Sequence, residues 1–175
     1  MPYAIEVYFD DKSSNKIKEI RTKFKNNNIN IDEGTDPHIS LLIFQKKPLE
    51  KKNFLNKLEA FSNNMTSLQM NLANIGIFNK EKSVVFLSPK VDIKLLEIQK
   101  KLYDCFKDSQ DLVWDYYKPE NWVPHCTLGM DLTDDMLVKA SSLFKEIDLP
   151  IRIVFKEIGI LKFRPNEEIV RYKIG

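Results

Sequence analysis

Residues 37–41, Pro37-His38-Ile39-Ser40-Leu41, and residues 124–128, Pro124-His125-Cys126-Thr127-Leu128, set down one frame twice, 87 residues apart, and hold the only two histidines of the 175-residue chain. Each frame opens a short apolar run behind a proline, which reads as a strand. On a strand, residues i and i+2 share a face. His38 with Ser40, and His125 with Thr127, therefore present an imidazole and a hydroxyl side by side. Ile39, Leu41 and Ile43, like Cys126 and Leu128, turn the other way, toward the core.

Outward from these frames the pattern repeats. Residues 3–9 (YAIEVYF) alternate Tyr3, Ile5, Val7 and Phe9 against Ala4, Glu6 and Tyr8, the period of a half-buried strand. A helix follows, apolar at Ile17, Ile20 and Phe24, with Asp11 and Ser13 as capping candidates and the run Asn26-Asn27-Asn28 at its end. Behind the first frame comes a helix marked by Phe54, Leu58 and Phe61. A hairpin of 68–78 and 83–88 then turns at Asn79-Lys80-Glu81-Lys82. The second half starts again with a helix from Asp92 to Phe106 and an aromatic loop before the frame at 124–130. Beyond it lie a helix capped by Thr133 and carrying Met136, Ala140, Leu143 and Ile147, and a hairpin of 151–161 and 168–174. Ile-Gly-Ile occurs in both hairpins, at Gly76 and Gly159.

A repeat this long is no solenoid. It predicts an α+β fold of two similar lobes related by a pseudo-twofold axis, with antiparallel sheets lining a central cleft and helices outside. The whole of 1–175 is then one bilobal domain built by internal duplication, each lobe contributing one histidine frame. Hydrophobic residues make up 43% of the chain and charged residues 30%, which excludes a disordered or fibrous protein. A net charge of +2 excludes the broad basic face that wraps duplex nucleic acid, so an anionic ligand must be gripped locally. With five glycines and no Gly-rich fingerprint, nucleotide loops of the dinucleotide or P-loop kind are excluded as well. No apolar run approaches the roughly 20 residues of a membrane span, and residues 1–7 lack the features of a signal peptide. A cytoplasmic protein with free thiols at Cys105 and Cys126 is expected.

Two opposed histidines suit in-line displacement at phosphorus. One imidazole takes a proton from the attacking oxygen while the other gives a proton to the leaving oxygen. An ordinary imidazole pKa near 6.5 makes both states available around neutrality. The Ser40 and Thr127 hydroxyls would then hold the non-bridging phosphoryl oxygens. Metal binding is disfavoured, because neither frame brings a second strong ligand. A serine nucleophile is disfavoured because Ser40 shares a strand with its base and lacks a sharp turn. Phe78 and Phe163, at corresponding places beyond the two Ile-Gly-Ile segments, either flank the cleft or pack its rim; Lys162 and Arg164 are candidates to hold phosphate. Trp114, Tyr116, Tyr117 and Trp122 either stack on bases or cap the core.

Through the two frames, the strand at 3–9 and Ile75-Gly76-Ile77-Phe78, nearly the whole chain resembles the two-histidine phosphoesterase superfamily, and within it the 2′-5′ RNA ligase-like proteins. One departure is Gly129-Met130, where such proteins often carry a basic residue. The resemblance implies a metal-independent phosphodiesterase, without cofactor, that opens 2′,3′-cyclic phosphate ends of RNA or nucleotides to 2′-phosphates, with 2′-5′ RNA ligation as the reversible counterpart. It implies that His125 activates water and His38 protonates the 3′ oxygen, with Ser40 and Thr127 on the phosphate; Phe78, Lys162 and Phe163 stay candidates for further substrate contacts from the residue pattern alone. The expected partners are RNA ends or small cyclic nucleotides, met by a monomer away from any membrane. The alternative is a protein that binds RNA ends or nucleotide phosphates without turnover.

Overall fold

A computed structural model describes residues 1–48, 50–90 and 92–175. The alternating run at the N-terminus forms β1 (Tyr3–Phe9), and α1 (Asp11–Asn26) follows directly. The first histidine frame forms β2 (His38–Phe44), followed by α2 (Lys51–Asn63), β3 (Gln69–Phe78) and β4 (Ser83–Pro89). Next come α3 (Ile93–Cys105), β5 (Cys126–Leu132) and α4 (Asp134–Leu143), and the chain closes with β6 (Ile151–Lys162) and β7 (Glu167–Lys173).

Among the described residues the strands form one antiparallel sheet in the order β2-β1-β6-β3-β4-β5, with β7 also paired to β6. The long strand β6 serves both ends. Ile151–Val154 pair with β3, while Phe155–Lys162 pair with β1. Two four-stranded arrangements, β2-β1-β6-β7 and β5-β4-β3-β6, thus share a strand, and each carries one frame at its edge. Although β2 and β5 end the strand order, they lie against each other, so the sheet folds back until its edges meet. The lobes are not simply the two halves of the sequence. β3, from the first half, lies beside β4 and β6, and β6, from the second, lies beside β1. The four-residue turn after β3 enforces this exchange, because a hairpin that tight keeps its strands paired.

α1 lies against β5 and β6, α3 against β2, and α4 against β4 and β5, with α2 against β7. The cap of α1 is Asp10, one residue before the expected Asp11. Its Oδ1 accepts from the Ser13 N–H at 3.1 Å, and its Oδ2 accepts from the Val154 N–H at 3.0 Å, so the cap also anchors β6. Thr133 caps α4 as expected, accepting from the Met136 N–H at 3.4 Å. That helix ends at Leu143, and a tight turn over 144–146 intervenes before Ile147. The aromatic loop contains two short turns, Lys107–Leu112 and Asp115–Tyr117. β1 also differs from expectation, being buried on both faces. Ala4, Glu6 and Tyr8 are as inaccessible as Ile5, Val7 and Phe9.

Candidate active site

His38 opens β2 opposite Tyr8 of β1, and Ser40 stands opposite Glu6, which in turn stands opposite Gly159 of β6. The imidazole is buried. Its Nδ1 lies 2.7 Å from the Asp36 carbonyl, which accepts its proton. This leaves Nε2 facing Glu6 Oε1 at 3.3 Å. Glu6 is only 3% exposed. Its Oε2 accepts from the Tyr8 hydroxyl at 2.9 Å, and its Oε1 accepts a longer bond from Ser40 Oγ at 3.4 Å. A buried carboxylate must be satisfied by donors, and these three groups supply them. Both ring nitrogens of His38 thus face acceptors. Burial, then the Glu6 charge, pushes the Tyr8 phenol upward, so it stays a donor.

Whereas His38 is the first residue of β2, His125 sits one residue ahead of β5. Its Nδ1 donates to the Val123 carbonyl at 2.7 Å, two residues back, as His38 does to Asp36. The repeated proline is explained by this geometry: its fixed φ holds the backbone where the preceding carbonyl can orient the ring. Beyond the frame the environments diverge. The ring meets the edge of Phe78 at 5.0 Å and Phe86 at 5.3 Å between centroids. Burial pushes its pKa below the ordinary imidazole value; the Val123 carbonyl opposes this, while the charges of His38 and Lys80 add to it. In register, Thr127 stands opposite Phe86, and Phe86 opposite Gly76. Phe86 therefore occupies in one lobe the position that Glu6 occupies in the other.

Arg21 joins the two frames. Buried on the inner stripe of α1, it donates to the Thr127 carbonyl through Nε at 3.1 Å and Nη2 at 2.7 Å. Nη1 donates to the Thr35 carbonyl at 2.8 Å, and Nη2 pairs with Asp32 at 3.4 Å. The loop that delivers His38 and the strand that carries Thr127 thus hang on one guanidinium. The aromatic loop is pinned to β2: Trp122 Nε1 donates to the Ser40 carbonyl at 3.1 Å, and Gln99 Nε2 donates to the Leu41 and Tyr117 carbonyls at 3.2 and 2.8 Å.

The structure sets β2, with His38 and Ser40, against β5, with Thr127; the charge of His38 reaches His125, and Phe78 meets the His125 ring. Lys162 lies three residues along β6 from Gly159, about 10 Å along the strand, and pairs with Glu167 at 2.6 Å. Phe163 packs edge-on against Trp114 at 5.8 Å, away from both imidazoles. Beside His38 a cavity of about 330 Å³ opens, lined by Glu6, Tyr8, Asp36, Leu161, Glu168 and Arg171 among others. Arg171 lies 3.7 Å from the centre of the Tyr8 ring and pairs with Asp36 and Glu168 at 2.8 and 2.6 Å. Among the described residues, no three His, Cys, Asp or Glu side chains converge as a metal site requires. No helix among them is long and apolar enough to cross a membrane.

Two histidine frames on the touching edge strands of one folded-back antiparallel sheet are the arrangement of a two-histidine phosphoesterase. A model of the 2′-5′ RNA ligase superfamily matches residues 9–167, and the chain belongs to that superfamily. Three solved structures share the fold. TT0787 of Thermus thermophilus aligns with a TM-score of 0.73 at 12% identity, over 99% of this chain and 98% of its own. E. coli LigT, solved with 3′-AMP, aligns at 0.64 and 13% identity, over 98% and 96%. Usb1 of Kluyveromyces marxianus aligns at 0.52 and 7% identity, over 95% and 96%. Among curated proteins no sequence matches significantly. Membership supports a phosphoesterase or ligase-like role.

Proposed function

We propose that this protein is a metal-independent phosphodiesterase that opens 2′,3′-cyclic phosphate ends of RNA or nucleotides to 2′-phosphates, and that 2′-5′ ligation runs through the same site. The whole chain acts as one bilobal domain descended from a duplicated unit. The carrying observation is the unequal setting of two equally oriented imidazoles. His125, among Phe78 and Phe86 and held neutral by burial, has a free Nε2 to take the proton of the attacking water. His38, with Nδ1 bonded to Asp36 and Nε2 against Glu6, is suited to carry a proton to the departing 3′ oxygen. Ser40 and Thr127 hold the phosphoryl oxygens from either side, Ser40 exchanging its long bond to Glu6 for one to substrate. Since attack and departure are in line, the ribose lies on the His38 side, where the 330 Å³ cavity offers room.

Binding without turnover would gain nothing from this asymmetry, and phosphate capture alone is better served by arginine forks than by imidazoles. The test is hydrolysis of a short RNA ending in a 2′,3′-cyclic phosphate, in EDTA, by the native protein and by His38→Ala and His125→Ala. The expected product is a 2′-phosphate, with turnover falling about 10²- to 10⁴-fold in each variant. A 3′-phosphate would reverse the orientation of the ribose. Tight binding of the same RNA with no turnover by the native protein would establish the binding alternative.

A further inference from the structure

The four aromatic residues of the loop before His125 divide by burial. Trp122 is buried and bonded to β2, Tyr117 is half-buried where it meets the Ser40 side chain, and Trp114 packs on Phe163. Tyr116 alone is left to solvent, with 70% of its surface exposed. Core packing accounts for the first three and leaves the fourth unexplained. Tyr116 does have a partner: Lys80 Nζ lies 4.9 Å from the centre of its ring, and the Lys80 charge is felt at His125. Lys80 is itself exposed, in the turn after β3, two residues beyond the Phe78 whose edge meets His125. An exposed aromatic face and a flexible cationic side chain, together on the rim beside one of two reactive groups, are the elements of a single-stranded nucleic-acid subsite: stacking for a base and charge for a phosphate.

We infer that Tyr116 and Lys80 form a subsite for a second nucleotide on the His125 side of the reacting phosphate, filled when the 2′-5′ chemistry proposed above joins or cuts a linkage. This rests on the proposed roles of the two histidines. If the ribose bearing the phosphate lies toward His38, in-line geometry puts the 5′ oxygen of the neighbouring nucleotide toward His125, and its base toward Tyr116. In cleavage of the linkage, the 3′ hydroxyl oxygen attacks phosphorus and its proton passes to His38. The bond from phosphorus to the 5′ oxygen breaks, and that oxygen takes a proton from His125. The products are a 2′,3′-cyclic phosphate and a free 5′ hydroxyl, and ligation is the same step reversed. Stacking on Tyr116 accepts any base, and Lys80 leaves the ring to meet the next phosphate along.

The test compares a 2′-5′-linked adenosine trimer with adenosine 2′,3′-cyclic phosphate as substrates of the native protein, Tyr116→Ala, Tyr116→Phe and Lys80→Ala. Both positions are exposed, so folding is not at stake. For the trimer, kcat/KM falls about 5- to 150-fold in Tyr116→Ala, the measured range for loss of one stacked base, and is retained in Tyr116→Phe. Lys80→Ala lowers it and flattens its salt dependence. Turnover of the cyclic mononucleotide, which has no second base, stays within about twofold in both Tyr116 variants. Equal losses on both substrates, or none on the trimer, would overturn the inference. If the native protein turns over neither substrate, the proposed function fails instead. Equilibrium binding of the trimer then still decides the subsite, and equal affinities of native protein and Tyr116→Ala would refute it.

Discussion

Gly76→Ala tests whether Phe86 sets the position of His125. A methyl group built at Gly76 falls 2.3 Å from Phe86 Cε2 and 2.4 Å from its Cζ, about 1.1 Å short of ordinary contact. The ring leans over β3, so relief moves it back toward β5, the strand behind His125. It has little room there, with Phe78 at 4.3 Å on one side and the imidazole at 5.3 Å on the other. Overpacking of this kind costs about 1–3 kcal/mol, and at this chain length each kcal/mol lowers Tm by about 2–4 °C. A displacement of about 1 Å in a catalytic group is worth on the order of 10²-fold in rate. Calorimetry should show Tm lower by several degrees, and hydrolysis of the cyclic-phosphate RNA should show kcat reduced by up to about 10²-fold. Adding Phe86→Leu makes space for the new methyl, and the double variant should regain Tm relative to Gly76→Ala alone. At Gly159 the same substitution meets the Val170 carbonyl oxygen at 2.6 Å, backbone that cannot rotate aside, so its loss of stability should be larger. A Gly76→Ala protein with native Tm and native kcat, or a double variant no more stable than the single, would refute the coupling.

Arg21→Met keeps the bulk but strands the Thr127 and Thr35 carbonyls and the Asp32 carboxylate. Urea unfolding should show a loss of about 3 kcal/mol, only partly recovered in Arg21→Lys, which cannot reach all three; a loss under about 0.5 kcal/mol would mean that the guanidinium is dispensable. Burial lowers the His125 pKa in the folded state, so between that value and the unfolded value near 6.5 the unfolded chain binds more protons. Its contribution to stability is complete above pH 6.5 and declines as pH falls below it. The urea midpoint of the native protein should therefore drop more steeply from pH 7.5 to 5.0 than that of His125→Gln, and parallel curves would contradict the assignment.

Much of this is legible in the sequence, because the strongest signals are local. Alternation over 3–9 marks β1, helical spacing of Ile17 and Phe24 marks α1, and two Pro-His-x-hydroxyl frames mark the reacting groups. What the sequence hides depends on pairings between distant strands. Glu6 reads as the wet side of a half-buried strand, and its proximity to His38 and Ser40 exists only because β1 pairs with β2 in this register. Phe86 reads as core, and it is core, but its position over Gly76 comes from the hairpin register. Arg21 does leave a trace: it falls four residues after Ile17 and three before Phe24, on the apolar stripe of α1, where a charged side chain must find buried partners.

The strand exchange explains why a duplicated frame can yield two different histidines. Each frame strand is flanked by a strand preceding its own helix, β1 for β2 and β4 for β5, and that flanking strand is flanked in turn by an Ile-Gly-Ile strand from the half of the sequence opposite the frame. In each lobe the residue opposite that glycine also stands opposite the hydroxyl residue of the frame, and at Gly76 its ring fills the space over the glycine. In one lobe it is Glu6, which gathers Tyr8, Ser40 and His38 around a buried charge. In the other it is Phe86, which with Phe78 gives His125 an apolar wall. Because both rings are oriented identically through the carbonyl two residues back, their difference comes from this position and not from the frames. The repeated frame supplies the matched geometry that in-line displacement needs, and in the proposed mechanism one unmatched pair of residues divides the labour between acid and base.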